Sequence, residues 1–272
     1  MHPELFKIGP FALHSYGLML ALAFGFGIWI ASKRAPKRGV AGNSIVDISV
    51  ASLLFGLAGG RLAYVITHWD EFEGRLLDII SPIQSDGTIG IAGLVLLGGV
   101  VAGFGGAYWM AKKRNAGFLN VTDIMIPSLA LGIAFGRLGC FLNGCCFGNV
   151  CDVPWGVVFP ESSLAGSVYP HQHIHPTQLY ETLAMLALFA FLLWKDKSPL
   201  KVGVLTGYFL TLYGVWRYYV EGLRWYEEGM IFGNLDGHLL TFSRIISVGM
   251  VIAGMYLIFR KTAPEPPAPH VH

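Results

Sequence analysis

The stretch FALHSYGLMLALAFGFGIWIASKRAPKR, from Phe11 to Arg38, joins a long apolar run to a basic cluster. The run from Phe11 to Ala31 contains no Asp, Glu, Lys or Arg and is close to the ~20 residues needed to cross a bilayer. The cations follow the apolar run, whereas a cleavable signal peptide carries its cations in front of it. The stretch therefore predicts a first transmembrane helix that is not a signal peptide.

The composition of the whole chain agrees with a membrane protein. Of 272 residues, 54% are hydrophobic and only 13% are charged, against about 25% charged residues in soluble domains. The 35 glycines fit the same class, because small residues allow membrane helices to approach closely. The net charge of +2 gives little information about partners, and no nucleic-acid partner is expected.

Seven apolar runs approach or exceed the length needed to cross a bilayer and predict transmembrane helices. They cover Phe11 to Ala31, Val46 to Thr67, Ile91 to Ala111, Ile124 to Leu142, Leu179 to Trp194, Gly203 to Val220 and Leu239 to Phe259. The expected fold is all-α, a polytopic integral membrane protein of about seven transmembrane helices. We expect residues 1–262 to form a single transmembrane catalytic domain and the Pro-rich, polar residues 263–272 to form a disordered tail.

The charges of the connecting loops predict the orientation. The first, third and fifth loops and the exit from the last span are rich in Lys and Arg. The second loop is acidic, and the fourth, residues 144–178, contains no Lys or Arg. Basic loops lie in the cytoplasm by the positive-inside rule. The N-terminus is therefore expected outside and the C-terminus in the cytoplasm.

Charged residues inside the spans indicate a functional cavity, because an Arg near the bilayer centre costs roughly 2.5–3.5 kcal/mol on insertion scales. Glu221 lies four residues after Arg217 and can share its helix face. An ion pair of purely structural value is one interpretation of this spacing. The other is a site for an anion such as phosphate, which guanidinium groups bind bidentately. The charged residues in or beside the spans are Arg61, Asp123, Arg137, Glu181, Arg217, Glu221 and Arg244, and several guanidinium groups without a counter-charge are expected among them.

All four cysteines, Cys140, Cys145, Cys146 and Cys151, lie in one stretch, and three histidines follow at 171, 173 and 175. A metal site is one interpretation. The spacing lacks a C-x2-C pair, and the adjacent Cys145 and Cys146 are expected to share one tetrahedral ion only with strain. Apolar packing or a disulfide are the other interpretations, and we predict no metal site.

Motifs along almost the whole chain resemble the prolipoprotein diacylglyceryl transferase family. They are IGPFALHSYGLM (Ile8 to Met19), GGRLAYV (Gly59 to Val65), GRLGCFLNGCCFG (Gly136 to Gly148), PWGVVFP (Pro154 to Pro160), HPTQLYE (His175 to Glu181) and YGVWRYYVEGLR (Tyr213 to Arg224). The resemblance implies transfer of the diacylglyceryl group from phosphatidylglycerol to the lipobox cysteine of a preprolipoprotein signal peptide. A thioether forms, glycerol phosphate leaves, and no metal or organic cofactor is required.

Arg137 and Arg217 match the family's functional arginines, so the resemblance implies that they hold the headgroup phosphate. The candidate catalytic residues are Arg137, Arg217, Tyr16, Glu181 and Tyr213. The candidate substrate-binding residues are Arg61, Asn143, Gly144, Gly148, His175, Glu221 and Arg224. The alternatives are a transporter or channel for an anionic solute and a metal- or redox-active protein built on the cysteines and histidines.

The chain departs from the family's pattern at four positions. Leu97 stands where many members carry His or Tyr, Cys140 where some carry Asn, Cys145 where some carry Glu, and Arg244 where Gln is usual. Leu97 can neither accept a proton nor form a hydrogen bond. If the reaction needs a base, the candidates are Tyr16, His14, Glu181 and Glu221.

Overall fold

The computed structural model describes residues 4–8, 11–74, 79, 93, 95–226, 231–235 and 238–260. These residues divide into two compact units. The first contains the described residues up to Ala31 and from Thr122 onward, and the second runs from Ser32 to Val121. The expectation of one catalytic domain stays a prediction, and the proposed tail, residues 263–272, lies outside the described residues.

Long helices occupy all seven stretches that the apolar runs predict. They are α1 (Ser15–Arg34), α2 (Gly42–Thr67), α4 (Leu96–Lys113), α5 (Phe118–Asn143), α7 (Thr177–Lys195), α8 (Val204–Val220) and α9 (Phe242–Phe259). The short helices α3 (Trp69–Phe72) and α6 (Leu164–Val168) lie between them. Within the described residues, five helices are long and apolar enough to cross a membrane: α1, α2, α5, α7 and α9.

Two short antiparallel hairpins accompany the helices of the all-α fold. Strand β1 (Glu4–Ile8) pairs with β2 (Phe11–His14), and β3 (Ile231–Leu235) pairs with β4 (His238–Thr241). The first and last predicted spans therefore begin too early, because Phe11 and Leu239 lie in strands and the helices start at Ser15 and Phe242. An apolar strand leading directly into an apolar helix leaves no break in hydropathy, so periodicity over four residues cannot separate the two.

The core of the first unit lies between α5, α7 and α8. Its buried side chains are Ile126, Ala130, Ala134, Met185, Leu188, Leu192, Leu205 and Phe209. Helix α8 packs against both α7 and α9. Polar residues carried at the ends of α5, α7 and α8 are consequently brought together by one apolar cluster.

The sequence predicts that Asp123 accompanies the arginines, but in the structure it has another role. Its carboxylate is fully buried and accepts hydrogen bonds from the backbone N–H groups of Gly203 and Thr206, at 2.7 and 2.8 Å. The hydroxyl of Thr206 donates a third, at 2.6 Å. A carboxylate at this position satisfies N–H groups that α8 itself cannot, and it also complements the dipole of the helix. Asp123 therefore fixes the start of α8 against α5.

The C-terminus of α5 closes in a Schellman motif. The N–H of Cys145 donates to the carbonyl of Cys140 at 3.1 Å, and the N–H of Gly144 donates to Phe141 at 3.2 Å. Gly144 has a φ of 73°, in the left-handed region that glycine adopts without strain. The motif turns the chain back over the last turn of α5 and begins the loop that leads to α7.

Candidate functional site

A buried carboxylate on α7 joins three helices. Nε of Arg137 on α5 lies 2.9 Å from Oε2 of Glu181, and the hydroxyl of Tyr213 on α8 donates to Oε1 at 3.3 Å. The side chain of Glu181 is only 1% exposed and that of Arg137 is 18% exposed. The structure thus brings together three of the predicted catalytic residues, with the charge of Arg137 paired.

A second ion pair follows along α8. Nη2 of Arg217 lies 2.8 Å from Oε2 of Glu221, in the i, i+4 arrangement that their spacing predicts. The hydroxyl of Thr241 donates to Oε1 of Glu221 at 2.7 Å. The same hydroxyl accepts the backbone N–H of Arg244 and thereby caps α9. Glu221 therefore holds Arg217 and the start of α9 together.

Of these two ion pairs, that of Arg137 corrects the expectation of a guanidinium without a counter-charge, and that of Arg217 is the one its spacing predicts. They do not use all the donors. Nη1 of Arg217 and Nε of Arg224 are buried without a hydrogen-bond partner among the described residues. Arg217 also lies within electrostatic range of Glu181. Counting Arg224, three guanidinium groups face two carboxylates, so the cluster keeps a net positive charge and free N–H donors.

Arg224 and Tyr226 extend this cluster beyond α8. The guanidinium of Arg224 lies over the ring of Tyr226, 5.0 Å from its centroid. The hydroxyl of Tyr226 accepts a hydrogen bond from Nη2 of Arg217 at 3.4 Å. Burial raises the pKa of this phenol above its usual value, so Tyr226 stays neutral.

The loop after α5 is tied to this segment through its backbone. Gly148 forms a bridge with Arg224, and its N–H donates to the carbonyl of His175 at 3.0 Å. A side chain at residue 148 would not fit, because a Cβ atom would lie 2.7 Å from the Leu223 carbonyl oxygen and 2.8 Å from that of His175. Nδ1 of His175 lies 3.2 Å from the hydroxyl of Tyr180. Gly148 and His175 thus position the segment that carries Arg224.

Asn143 and the cysteines lie at the turn that ends α5. The Sγ atoms of Cys140, Cys145 and Cys146 all lie within 4.8 Å of one another. The amide of Asn143 lies 3.8 Å from Sγ of Cys145. Hydrogen bonds from the Cys140 and Cys145 thiols hold the pKa of Cys146 below its usual value. All four cysteines are free thiols, so the structure differs from the disulfide interpretation.

Tyr16 lies in the first turn of α1, and its side chain packs against α5. Cδ2 of its ring would lie 2.9 Å from a Cβ atom built on Gly139. The residue is 40% exposed, and Arg137 is within electrostatic range of its phenol. His14 does not belong to this helix but ends strand β2.

Arg61 belongs to the second unit. It is 7% exposed on α2, and its Nε donates to the carbonyl of Ile79 at 3.1 Å. Its guanidinium also lies 5.0 Å from the centroid of the Phe72 ring. Leu97, in the first turn of α4, is 59% exposed.

Comparisons with known proteins agree with the family resemblance of the sequence motifs. The sequence profile of the prolipoprotein diacylglyceryl transferase family matches residues 3–260. The chain belongs to this family. A phosphatidylglycerol–prolipoprotein diacylglyceryl transferase of Clostridium tetani is 33% identical over 265 residues, covering 96% of this chain and all of the relative. The enzyme of the same name from Aliivibrio salmonicida is 35% identical over 94% of this chain and 86% of its own length. That of Synechococcus elongatus is 31% identical over 94% of this chain and 87% of its own.

Within this member of the diacylglyceryl transferase family, sequence reasoning missed two polar residues of the cluster. Tyr226 accepts from Arg217, and Thr241 donates to Glu221. Thr241 could have been found from its place before the helical run FSRII, because Thr is a preferred residue at a helix N-cap. Tyr226 follows the last helical turn of its segment, and nothing in its spacing predicts the contact.

Proposed function

We propose that this chain transfers the diacylglyceryl group of phosphatidylglycerol to the lipobox cysteine of preprolipoproteins in the bacterial inner membrane. The observation that carries the proposal is the paired but still cationic cluster of Arg137, Arg217 and Arg224, in a chain whose relatives bear the name of this transferase. The comparisons support this function and give no support to a transporter of anionic solutes.

The reaction replaces one bond to carbon by another. The thiolate sulfur attacks the glyceryl carbon that carries the phosphate, a C–S bond forms, and the C–O bond to the phosphate breaks. Glycerol phosphate takes the electron pair of that bond, and the thiol proton is lost to a base or to solvent. Negative charge therefore grows on the phosphate oxygens in the transition state, where preorganised cations lower the barrier most.

We assign the phosphate to the free donors of the arginine cluster. Nη1 of Arg217 and Nε of Arg224 need an acceptor, and leaving a buried donor without one costs about 1–3 kcal/mol. A phosphate oxygen satisfies such donors and adds a charge-assisted bond. Arg137 is proposed to contact the same headgroup through the nitrogens that Glu181 does not engage.

The buried carboxylates fit positioning roles better than base catalysis. Glu181 and Glu221 each hold an arginine and a hydroxyl group, so their protonation would break two contacts at once. In this proposal Glu181 orients Arg137 and Tyr213, while Glu221 orients Arg217. For Tyr16, on the first span, we propose a hydrogen bond from its hydroxyl group to the glyceryl ester or the phosphate of the lipid.

A reconstituted assay tests the transfer. The purified protein is incubated with phosphatidylglycerol vesicles and a lipobox peptide, and the peptide mass is measured. We expect a gain equal to one diacylglyceryl group, with stoichiometric glycerol phosphate. A peptide whose cysteine is replaced by Ser is the matched control. An unchanged peptide mass with an active control enzyme in the same vesicles would contradict the proposal.

The proposed orientation has its own test. With the N-terminus outside and seven spans, a reporter fused after Arg114 is cytoplasmic, and one inserted between Cys151 and His171 is external. The opposite result at either place would reverse the proposed orientation.

A further inference from the structure

We propose that the three-thiol cluster of Cys140, Cys145 and Cys146 binds a thiophilic metal ion of the Zn²⁺ or Cu(I) type. The sequence pattern argued against this, because adjacent cysteines were expected to share an ion only with strain. The structure places the three Sγ atoms within 4.8 Å of one another. The proposal goes beyond the transferase function and does not depend on it.

The first two thiols meet because of the Schellman motif. In this motif the chain folds back on the last helical turn. The side chain two residues after the C-cap then contacts the side chain three residues before the C-cap, and this contact is commonly apolar. Here the two positions are Cys145 and Cys140, joined by the 3.1 Å backbone hydrogen bond. A contact that is ordinarily between apolar groups is made by two sulfur atoms.

The third thiol arrives through an unusual backbone conformation. Cys146 has a φ of 60°, which costs a residue with a side chain about 1–3 kcal/mol and is found mainly at functional sites. The strain expected for adjacent cysteines is therefore present in the protein, and it is located in the backbone of Cys146. With this conformation Cys145 and Cys146 direct their thiols to one place instead of to opposite sides.

Helix α7 holds the two adjacent residues in this arrangement. The amide of Gln178 donates to the carbonyl of Cys145 at 2.7 Å. The hydroxyl of Thr177 donates to the carbonyl of Cys146 at 3.0 Å. Both α7 residues are buried. The positions of the thiols are therefore fixed from outside the cluster, as metal ligands are fixed by the residues behind them.

The distances and the charges suit a soft metal ion. Metal–sulfur bonds of about 2.3 Å place the sulfurs of one ion just under 4 Å apart, so modest side-chain rotation closes the cluster onto an ion. Soft thiolates select Zn²⁺ and Cu(I). Three thiolates around Zn²⁺ leave one negative charge, and Arg137 and Arg224 both lie within electrostatic range of Cys146. Protons displaced from the thiols pass to solvent.

The histidines that follow the cysteines in the sequence have other partners. Nε2 of His171 pairs with Glu161 at 2.8 Å, and Nδ1 of His173 lies 3.1 Å from the carbonyl oxygen of Gly156. No His or carboxylate joins the three thiols among the described residues. The site therefore offers three sulfur ligands, which is sufficient for trigonal Cu(I) and leaves one position on Zn²⁺ for an exchangeable ligand.

The test uses the full-length protein in detergent, reduced and stripped of metal by a chelator. Co²⁺ serves as the spectroscopic probe for thiolate ligation, and Zn²⁺ then displaces it in a titration. We expect one ion per chain in the wild type and in Cys151→Ser, the matched control outside the cluster. In Cys140→Ser, Cys145→Ser and Cys146→Ser the affinity should fall by more than the ~10–100-fold that outer-shell changes cause.

A second readout needs no variant and so remains valid if a Ser variant misfolds. Wild-type protein with and without Zn²⁺ is alkylated, digested and examined by mass spectrometry. Zn²⁺ should protect Cys140, Cys145 and Cys146 while Cys151 reacts equally in both samples. Absence of a cobalt–thiolate band, equal alkylation with and without Zn²⁺, or undiminished affinity in Cys146→Ser would each overturn the proposal. Neither readout requires transferase activity, so a failure of the proposed function would be seen separately.

Discussion

Glu181 and Arg137 form an ion pair of 2.9 Å that links α7 to α5, and Tyr213 brings α8 to the same carboxylate. The carboxylate is almost completely buried. Three helices therefore depend on one charged group, and removal of its charge must affect both the packing of the helices and the orientation of the guanidinium.

We expect Glu181→Gln to lower the transfer rate at least ~10-fold and to destabilise the protein, because breaking a buried ion pair typically costs 3–5 kcal/mol. The rate is measured in the vesicle assay and the stability by thermal unfolding in detergent. Glu161→Gln is the matched control, since Glu161 also contacts a basic side chain, that of His171, but is 68% exposed. Equal rates and melting temperatures in both variants would remove Glu181 from the site.

Arg137→Ala and Arg217→Ala are each expected to abolish transfer while the protein still inserts. The Lys variants should rescue the rate poorly, because an ammonium group cannot reproduce the planar fork of donors that matches phosphate. Arg114→Ala is the control, since Arg114 pairs with Asp47 at a partly exposed position of the second unit. Full activity in either Ala variant would exclude that arginine from phosphate binding.

Gly148→Ala is expected to lower stability by about 1–3 kcal/mol, the usual cost of forcing a methyl group into a packed site. The new Cβ atom would meet two backbone carbonyl groups, which cannot move aside as a flexible side chain can. In Gly132→Ala, inside α5, the Cβ atom meets nothing within 4 Å, and the melting temperature should not fall, because Ala favours a helix interior more than Gly does. Similar unfolding of the two variants would show that the bridge to Arg224 is looser than described.

Tyr16→Phe is expected to lower the rate at least ~10-fold, which is less than the ~100–10,000-fold effect of a positioned acid–base group because Tyr16 is proposed only to contact the lipid. His14→Ala should cost less, because His14 is the end of a strand and lies outside the helix that carries Tyr16. Leu97→His is the companion variant, and little gain is expected if the site has adapted to Leu97. A wild-type rate in Tyr16→Phe, together with a clear gain in Leu97→His, would assign the chemistry to α4 instead of α1.

The sequence predicted the helices and the local pairs but not the contacts between distant segments. Among the described residues a long helix lies in each stretch that the apolar runs predict, five of them apolar enough to cross a membrane. Helical spacing alone predicted the ion pair of Arg217 with Glu221. The pairing of Arg137 with Glu181 depends on how α5 packs against α7, and a single sequence does not contain that information. The thiol cluster was missed for a different reason. Spacing rules for metal sites do not consider a helix end, although a glycine between Cys140 and Cys145 could have indicated a Schellman motif.

The three hydrogen bonds that Asp123 accepts also have a consequence for the order of biosynthesis. Their donors on Gly203 and Thr206 follow in the chain by 80 and 83 residues. At roughly 5–20 residues per second, the ribosome needs several seconds to cover that distance. Helix α5 therefore reaches the membrane well before these groups exist, and the first unit can reach its final packing only after α8 has been synthesised. A pause in translation between these two helices should lengthen the lifetime of a protease-sensitive nascent chain.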